Sequence, residues 1–276
     1  MRPKALTSRD EPIPLVIVEG FLGSAGAALW GNFAESFDVG VRKAASSSNT
    51  RQVLFASVGP VSSLHDRACE LFYSLVGGTV DYGDEHAATH RHRRYGRMIE
   101  DALYPQWSPR RPLHFLGHSM GGPTVVKMQW LMRKGFFGDH VHPDMVLSLT
   151  AISSPFRGTQ LVYTLGERTD AAPAVRPFSV GSVLAKAAHI VSYLSPVLPK
   201  VFDLHAESRE LSFRDTSLPS LWQQLFKSDW AEGRDATPYD VTFQAAEERE
   251  ALHEGLPHKK TFYRSYCASF VKRTSF

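Results

Sequence analysis

The feature that most restricts the fold of this chain is a short apolar run, Leu113-His114-Phe115-Leu116. It passes directly into Gly117-His118-Ser119-Met120-Gly121-Gly122 and then into a helical stretch from about Thr124 to Arg133. A serine with glycine two residues to either side fits a tight strand-to-helix turn, because only small flanking residues let that turn close. Average glycine and serine usage gives Gly-x-Ser-x-Gly by chance about 0.1 times in a chain of this length. The strand before it and the helix after it therefore carry the weight of the reading. In such a turn the Ser119 hydroxyl stands at the top of the sheet. The free N–H groups of the helix start lie beneath it, where a developing oxyanion can be held. Ser119 is thus the candidate nucleophile and the Met120 N–H one oxyanion donor. The second donor in this arrangement comes from the loop after an earlier strand. Glu19-Gly20-Phe21-Leu22-Gly23 fits that place, with Phe21 as the donor.

The rest of the chain is consistent with one sheet. Residues 14–18 (PLVIV) and 52–57 (QVLFAS) predict strands, the first running into a loop with Gly23 and Gly26. Leu64, Ala68, Leu71, Phe72 and Leu75 recur at helical spacing, and Gly77-Gly78 ends that helix. Residues 79–97 have no clean period but hold several histidines. Met145–Ile152 and Tyr263–Phe270 predict further strands, and Ser182–Tyr193 and Leu218–Trp230 predict helices. Ser46-Ser47-Ser48 marks a surface loop. Strands alternating with helices predict an α/β fold with a mostly parallel sheet and helices on both faces. One domain is expected over 1–276, with insertions at about 60–100 and 160–250.

Composition narrows the function classes. With 276 residues the chain can bury a full core without disulfides, and its two cysteines exclude a disulfide scaffold or a cysteine-based zinc module. A balance of 31 basic to 28 acidic residues gives no argument for nucleic acid, and none is expected as a partner. The run Arg91-His92-Arg93-Arg94 with Arg97 reads first as a solvated face and second as a basic binding surface. No apolar run reaches the length of a membrane span, and MRPKALTSRDEPIP lacks the apolar stretch of a secretory signal. A cytoplasmic location follows as the expectation. His86, His90 and His92 suggest a metal site. His86 and His90, four apart, would share a helix face.

Five stretches, PLVIVEGFLG, VGPVSSLHDRACE, LVGGTVDYGDEHAATHRHRRYGR, FLGHSMGGPT and LTAISSPFRGTQLV, resemble the thermoalkalophilic bacterial lipases, relatives of the staphylococcal lipases. PYDVT near residue 240 is a weaker match. The resemblance implies an α/β-hydrolase-like fold, hydrolysis of acylglycerols and other carboxylic esters, and Ser119, Phe21 and Met120 in the roles given above. It also implies a structural zinc in a His-rich insertion, held by Asp66, His86, His92 and Asp240. Two histidines and two carboxylates leave no open position for chemistry. The chain departs from the family at Met120, where a glutamine is usual, and at Glu19, where a histidine is usual. A carboxylate beside an oxyanion site is unfavourable unless it is paired or turned away.

In this fold the catalytic acid and then the histidine follow the nucleophile, the acid lying after the strand expected at Tyr263–Phe270. The chain stops six residues beyond that strand, so the last strands, the acid and the base are expected to be missing and the activity weak or absent. The expected substrate is an acyl ester or lipid. The alternative is a zinc-binding protein of the same fold that binds a lipid or protein partner without catalysis. The apolar helices at 182–198 and 218–230 are candidates for a lid over the acyl site.

Overall fold

The computed structural model describes residues 12–23, 51–170, 172–199, 202–228, 230 and 232–267. Gly26, the serine run 46–48 and residues 268–270 of the last expected strand lie outside the described residues.

Five strands form one fully parallel sheet: β1 (Leu15–Val18), β2 (Val53–Ala56), β5 (Leu113–His118), β6 (Val146–Ile152) and β7 (Phe262–Tyr266), in the order β2-β1-β5-β6-β7. The sequence explains which strands sit centrally. β1 is apolar throughout and buried at every position, and β5 exposes only its end at His118. Strands without polar alternation are stable only where both faces are covered. β7 is the opposite case, since all five of its residues are exposed.

Helix α1 (Leu64–Val76) begins at Ser63, whose hydroxyl accepts from the Asp66 N–H, and ends at Gly77 with φ of 85°. A non-glycine residue there would be strained. α1 packs with α3 (Gly121–Arg133) against the sheet, and Leu71, Phe72, Leu75, Phe115, Val125 and Met128 share one core. Residues 79–97, aperiodic in sequence, fold as an antiparallel pair, β3 (Gly78–Asp81) and β4 (Tyr95–Ile99), flanking a short helix α2 (Asp84–His90). No helical period emerges because α2 has seven residues and buries only Ala87.

The stretch between β6 and β7 holds α4 (Gln160–Leu165), α5 (Val180–Leu194), α6 (Leu218–Phe226), α7 (Thr237–Asp240) and α8 (Phe243–Ala251). α6 ends at Phe226, four residues short of the expected end, and Trp230 is buried beyond it. Among the described residues no helix is long and apolar enough to cross a membrane.

Candidate functional site

β5 is the middle strand of the sheet, and Ser119 is the first residue beyond its C-terminal end. Its φ is 51°, in the left-handed region that serine rarely adopts. The turn is locked by contacts that only glycine allows. A Cβ on Gly121 would lie 1.9 Å from the Val18 carbonyl oxygen, and one on Gly117 would lie 2.4 Å from the Gly122 nitrogen. The Ser119 N–H donates to the Ile152 carbonyl at 2.9 Å, tying the turn to β6. The helix starts at Gly121, three residues earlier than the apolar period indicates, because Gly121 and Gly122 carry no side chain to register a period.

Ser119, Phe21 and Met120 line one cavity of about 360 Å³. Its far walls are apolar: Leu161, Val162 and Leu165 from α4, Leu184, Ala188 and Val191 from α5, and Val241 after α7. Glu167 also lines it. One oxygen of that carboxylate is buried without a hydrogen-bond partner among the described residues, and burial pushes the group up to about 7. Glu19, where the resemblance has histidine, is buried. Its backbone carbonyl accepts from the Arg67 guanidinium. Burial pulls Arg67 down to about 10, against the opposing fields of Glu70, Asp240 and Glu19, so the Glu19 charge acts on Arg67.

Among the described residues no imidazole is hydrogen-bonded to the Ser119 hydroxyl. His258 binds Asp144 at 2.6 Å, His189 binds Ser228 at 2.6 Å, and His205 binds Glu70 at 2.9 Å. His142 accepts from the Asp144 N–H at 3.1 Å, and His253 is exposed.

Three of the four residues expected at a metal site lie together in the structure. Asp66, His86 and His92 converge, and the fourth member is Asp235, with one possible ligand atom from each lying within 4.8 Å of the others. Asp240 is corrected. Its Oδ2 accepts from the Leu64 N–H at 2.7 Å, capping the start of α1, while its Oδ1 faces Arg249 at 3.4 Å. Burial raises Asp240 to about 6. The weak PYDVT match pointed to the wrong aspartate of the right segment. Asp235 sits two residues before Thr237, whose hydroxyl donates to the Ser62 carbonyl at 2.7 Å, and the Ser62–Ala236 bridge turns Asp235 toward Asp66.

The donor set fits a cation. His92 Nδ1 lies 2.8 Å from the Arg93 carbonyl, which only accepts, so Nδ1 carries the proton and Nε2 offers its lone pair. That Nε2 is buried and makes no hydrogen bond, yet it lies 3.4 Å from Asp235 Oδ2 and 4.0 Å from Asp66 Oδ1. Facing two carboxylates, that nitrogen calls for a positive charge, supplied by a bound cation or by a second proton on the ring. His86 Nε2 lies 3.1 Å from both Asp66 Oδ1 and Asp235 Oδ1. Burial lowers His86, but these hydrogen bonds outweigh it and lift the group to about 9. Burial would raise Asp235, but the hydrogen bond from His86 and the charge of Arg209 hold it well below the usual carboxylate range. Arg209 donates to Asp66 Oδ2 at 2.8 Å and to Asp235 Oδ2, an outer contact that orients both acids. His90, on the same helix as His86, is not a member of the cluster.

Three arginines of the basic run are held in ion pairs. Arg93 pairs with Glu210, Arg94 with Asp81 and Asp84, and Arg97 with Asp203 and Glu207.

A family model described as "Lipase-like, C-terminal domain" matches residues 11–186, well over half of the chain. The chain belongs to this lipase-like family. Among its relatives, a lipase of Staphylococcus hyicus is 29% identical over 301 residues, covering 99% of this chain and 43% of that protein. Lipase 2 of Staphylococcus aureus is 36% identical over 174 residues, covering 55% of this chain and 25% of that protein. The crystal structure of S. hyicus lipase superimposes with a TM-score of 0.64 at 27% identity, over 88% of this chain and 65% of the other. Lipase 1 of Pelosinus fermentans gives 0.64 at 25% identity, over 92% and 67%. The sheet is therefore that of an α/β-hydrolase-like lipase fold. The chain spans less than half the length of the curated relatives it matches.

Proposed function

We propose that this lipase-like chain is a serine hydrolase of carboxylic esters such as acylglycerols, with Ser119 as nucleophile. The observation that carries the reading is the apolar cavity lined by the strained Ser119 with Phe21 and Met120. The Ser119 hydroxyl attacks the acyl carbonyl, and the N–H groups of Phe21 and Met120 hold the oxyanion. The acyl chain lies along α4 and α5. α5 turns Leu184, Ala188 and Val191 to the cavity while Val183, Ile190 and Leu194 remain exposed. α6 buries none of its residues and exposes Leu218, Trp222 and Phe226. Apolar faces on both sides of such helices suit a lid that meets a lipid surface.

With no imidazole on Ser119 among the described residues, the 276-residue chain by itself is expected to turn over esters about 10⁴–10⁶-fold more slowly than a complete triad enzyme. The test compares hydrolysis of p-nitrophenyl palmitate, a long-chain ester matched to the apolar cavity, by the chain and by its Ser119→Ala variant. Weak hydrolysis that disappears with Ser119 supports the reading. Equal rates in both proteins would favour the second reading, a zinc-containing scaffold that binds lipid without catalysis.

The Asp66, His86, His92 and Asp235 cluster is proposed as a zinc site of structural role. Bound zinc would neutralise the two carboxylates and cross-link α1, the α2 hairpin and the 235–241 segment. That segment supplies Ala236, Thr237, Pro238 and Val241 to the cavity wall, so the ion would set the shape of the acyl site without touching substrate.

A further inference from the structure

We propose that Ser57 is a second activated serine, served by a His205–Glu70 pair, which accepts acyl groups from small activated esters. Ser57 is exposed and directly follows β2 at the carboxyl edge of the sheet, the edge on which ligands of α/β sheets bind. His205 Nε2 lies 3.3 Å from the Ser57 hydroxyl oxygen, and His205 Nδ1 lies 2.9 Å from Glu70 Oε2. Both Glu70 and His205 are buried.

The tautomer follows from the partners. Glu70 accepts from the Gly59 N–H, the Tyr82 hydroxyl and His205, so its oxygens serve only as acceptors. Burial alone would raise Glu70, but His205 and the Gly59 N–H outweigh it and keep it ionised. His205 Nδ1 therefore donates to Glu70, and Nε2 turns its lone pair to the Ser57 O–H. This is the order of hydroxyl, imidazole and buried carboxylate that activates a serine.

The imidazole is held by more than these two bonds. His205 has φ of 56°, a strained value for a side-chain-bearing residue. Its N–H donates to Asp203 Oδ1 at 2.9 Å, and Arg97 grips Asp203 with two hydrogen bonds of 2.9 Å. Leu204 lines the apolar cavity, whereas Ser57 is not part of its lining, so the site suits short acyl groups arriving from solvent.

In the step itself the Ser57 oxygen forms a bond to the acyl carbon and the ester C–O bond breaks. The serine proton passes to His205 Nε2 and then to the departing alkoxide. A fluorophosphonate reports the same chemistry, with an O–P bond formed, the P–F bond broken and fluoride released. In the test, the folded Ser119→Ala chain is incubated with a fluorophosphonate probe and mapped by peptide mass spectrometry. Label is expected on Ser57 and is expected to vanish in the Ser57→Ala, Ser119→Ala chain. His205→Gly, which suits the left-handed backbone, should slow labelling at least about 100-fold, the usual share of a general base. Added imidazole should restore part of the rate. No label on Ser57, a His205→Gly rate equal to that of the parent, or a loss that imidazole does not restore would overturn the proposal.

Discussion

At Ser119 the constraints come from the six residues of one turn and the backbone of the two flanking strands, β1 and β6. At the Asp66, His86, His92 and Asp235 cluster no two neighbouring residues take part, and three segments must meet before the set is complete. The turn is held by steric exclusion, since no larger residue fits at Gly117 or Gly121. The cluster is held by charge, with Arg209 outside and room for a cation inside. The difference teaches that a nucleophile can be positioned by local geometry alone, whereas a metal site depends on the whole fold and can in turn support it.

The largest expected effect breaks the steric half of this comparison. Gly121→Ala places a methyl 1.9 Å from the Val18 carbonyl oxygen, a backbone atom that cannot swing away. A loss of about 3 kcal/mol or more is expected, at or above the upper end for overpacking. Urea unfolding of the variant against the parent measures it. An unchanged midpoint would show that the turn is looser than its contacts indicate.

The electrostatic half is sharpened by zinc. Adding the ion at about 100 times its dissociation constant should stabilise the folded chain by about 2.7 kcal/mol. Asp235→Asn should abolish most of that gain, and Asp240→Asn should retain it. Calorimetric titration together with melting curves separates the two aspartates. The reverse result would restore Asp240 as the ligand.

The smallest effect concerns Glu167, which meets the cavity without a counter-ion on its buried oxygen. Its carboxyl is raised to about 7 by burial, so the folded chain favours the protonated acid. Its contribution is full below the ordinary glutamate range and is lost as pH rises from about 4.5 through about 7. Glu167→Gln should remove that slope and leave the variant more stable above neutral pH by about 1 kcal/mol, well below the full value of the shift because solvent screens the group. Melting temperatures from pH 4.5 to pH 8 check the sign.

Much of the sheet was legible because buried parallel strands are written as near-continuous apolar runs, as in Leu15–Val18 and, interrupted only by His114, Leu113–Leu116. Helix α1 was legible from its apolar period and its Gly77 stop. The 79–97 region was not, since a seven-residue helix between two short strands has too little buried surface to leave a pattern. The end of α6 was misplaced for a related reason. Trp230 reads as a helix residue by hydrophobicity, but it is buried by tertiary packing beyond the helix. Ser57, Glu70 and His205 carry no sequence signal at all, being joined only by the packing of the 203–209 segment over α1.

By itself the sequence determined the turn at Ser119, because the identities of Gly117, Ser119 and Gly121 admit one local geometry between a strand and a helix. It also determined that Asp66, His86 and His92 belong together, through stretches that resemble a zinc-containing family. Only the tertiary structure decided between Asp235 and Asp240. The two aspartates lie five positions apart, and nothing local distinguishes them. The bridge between Ser62 and Ala236 turns one toward the histidines, and the N–H of Leu64 at the start of α1 claims the other.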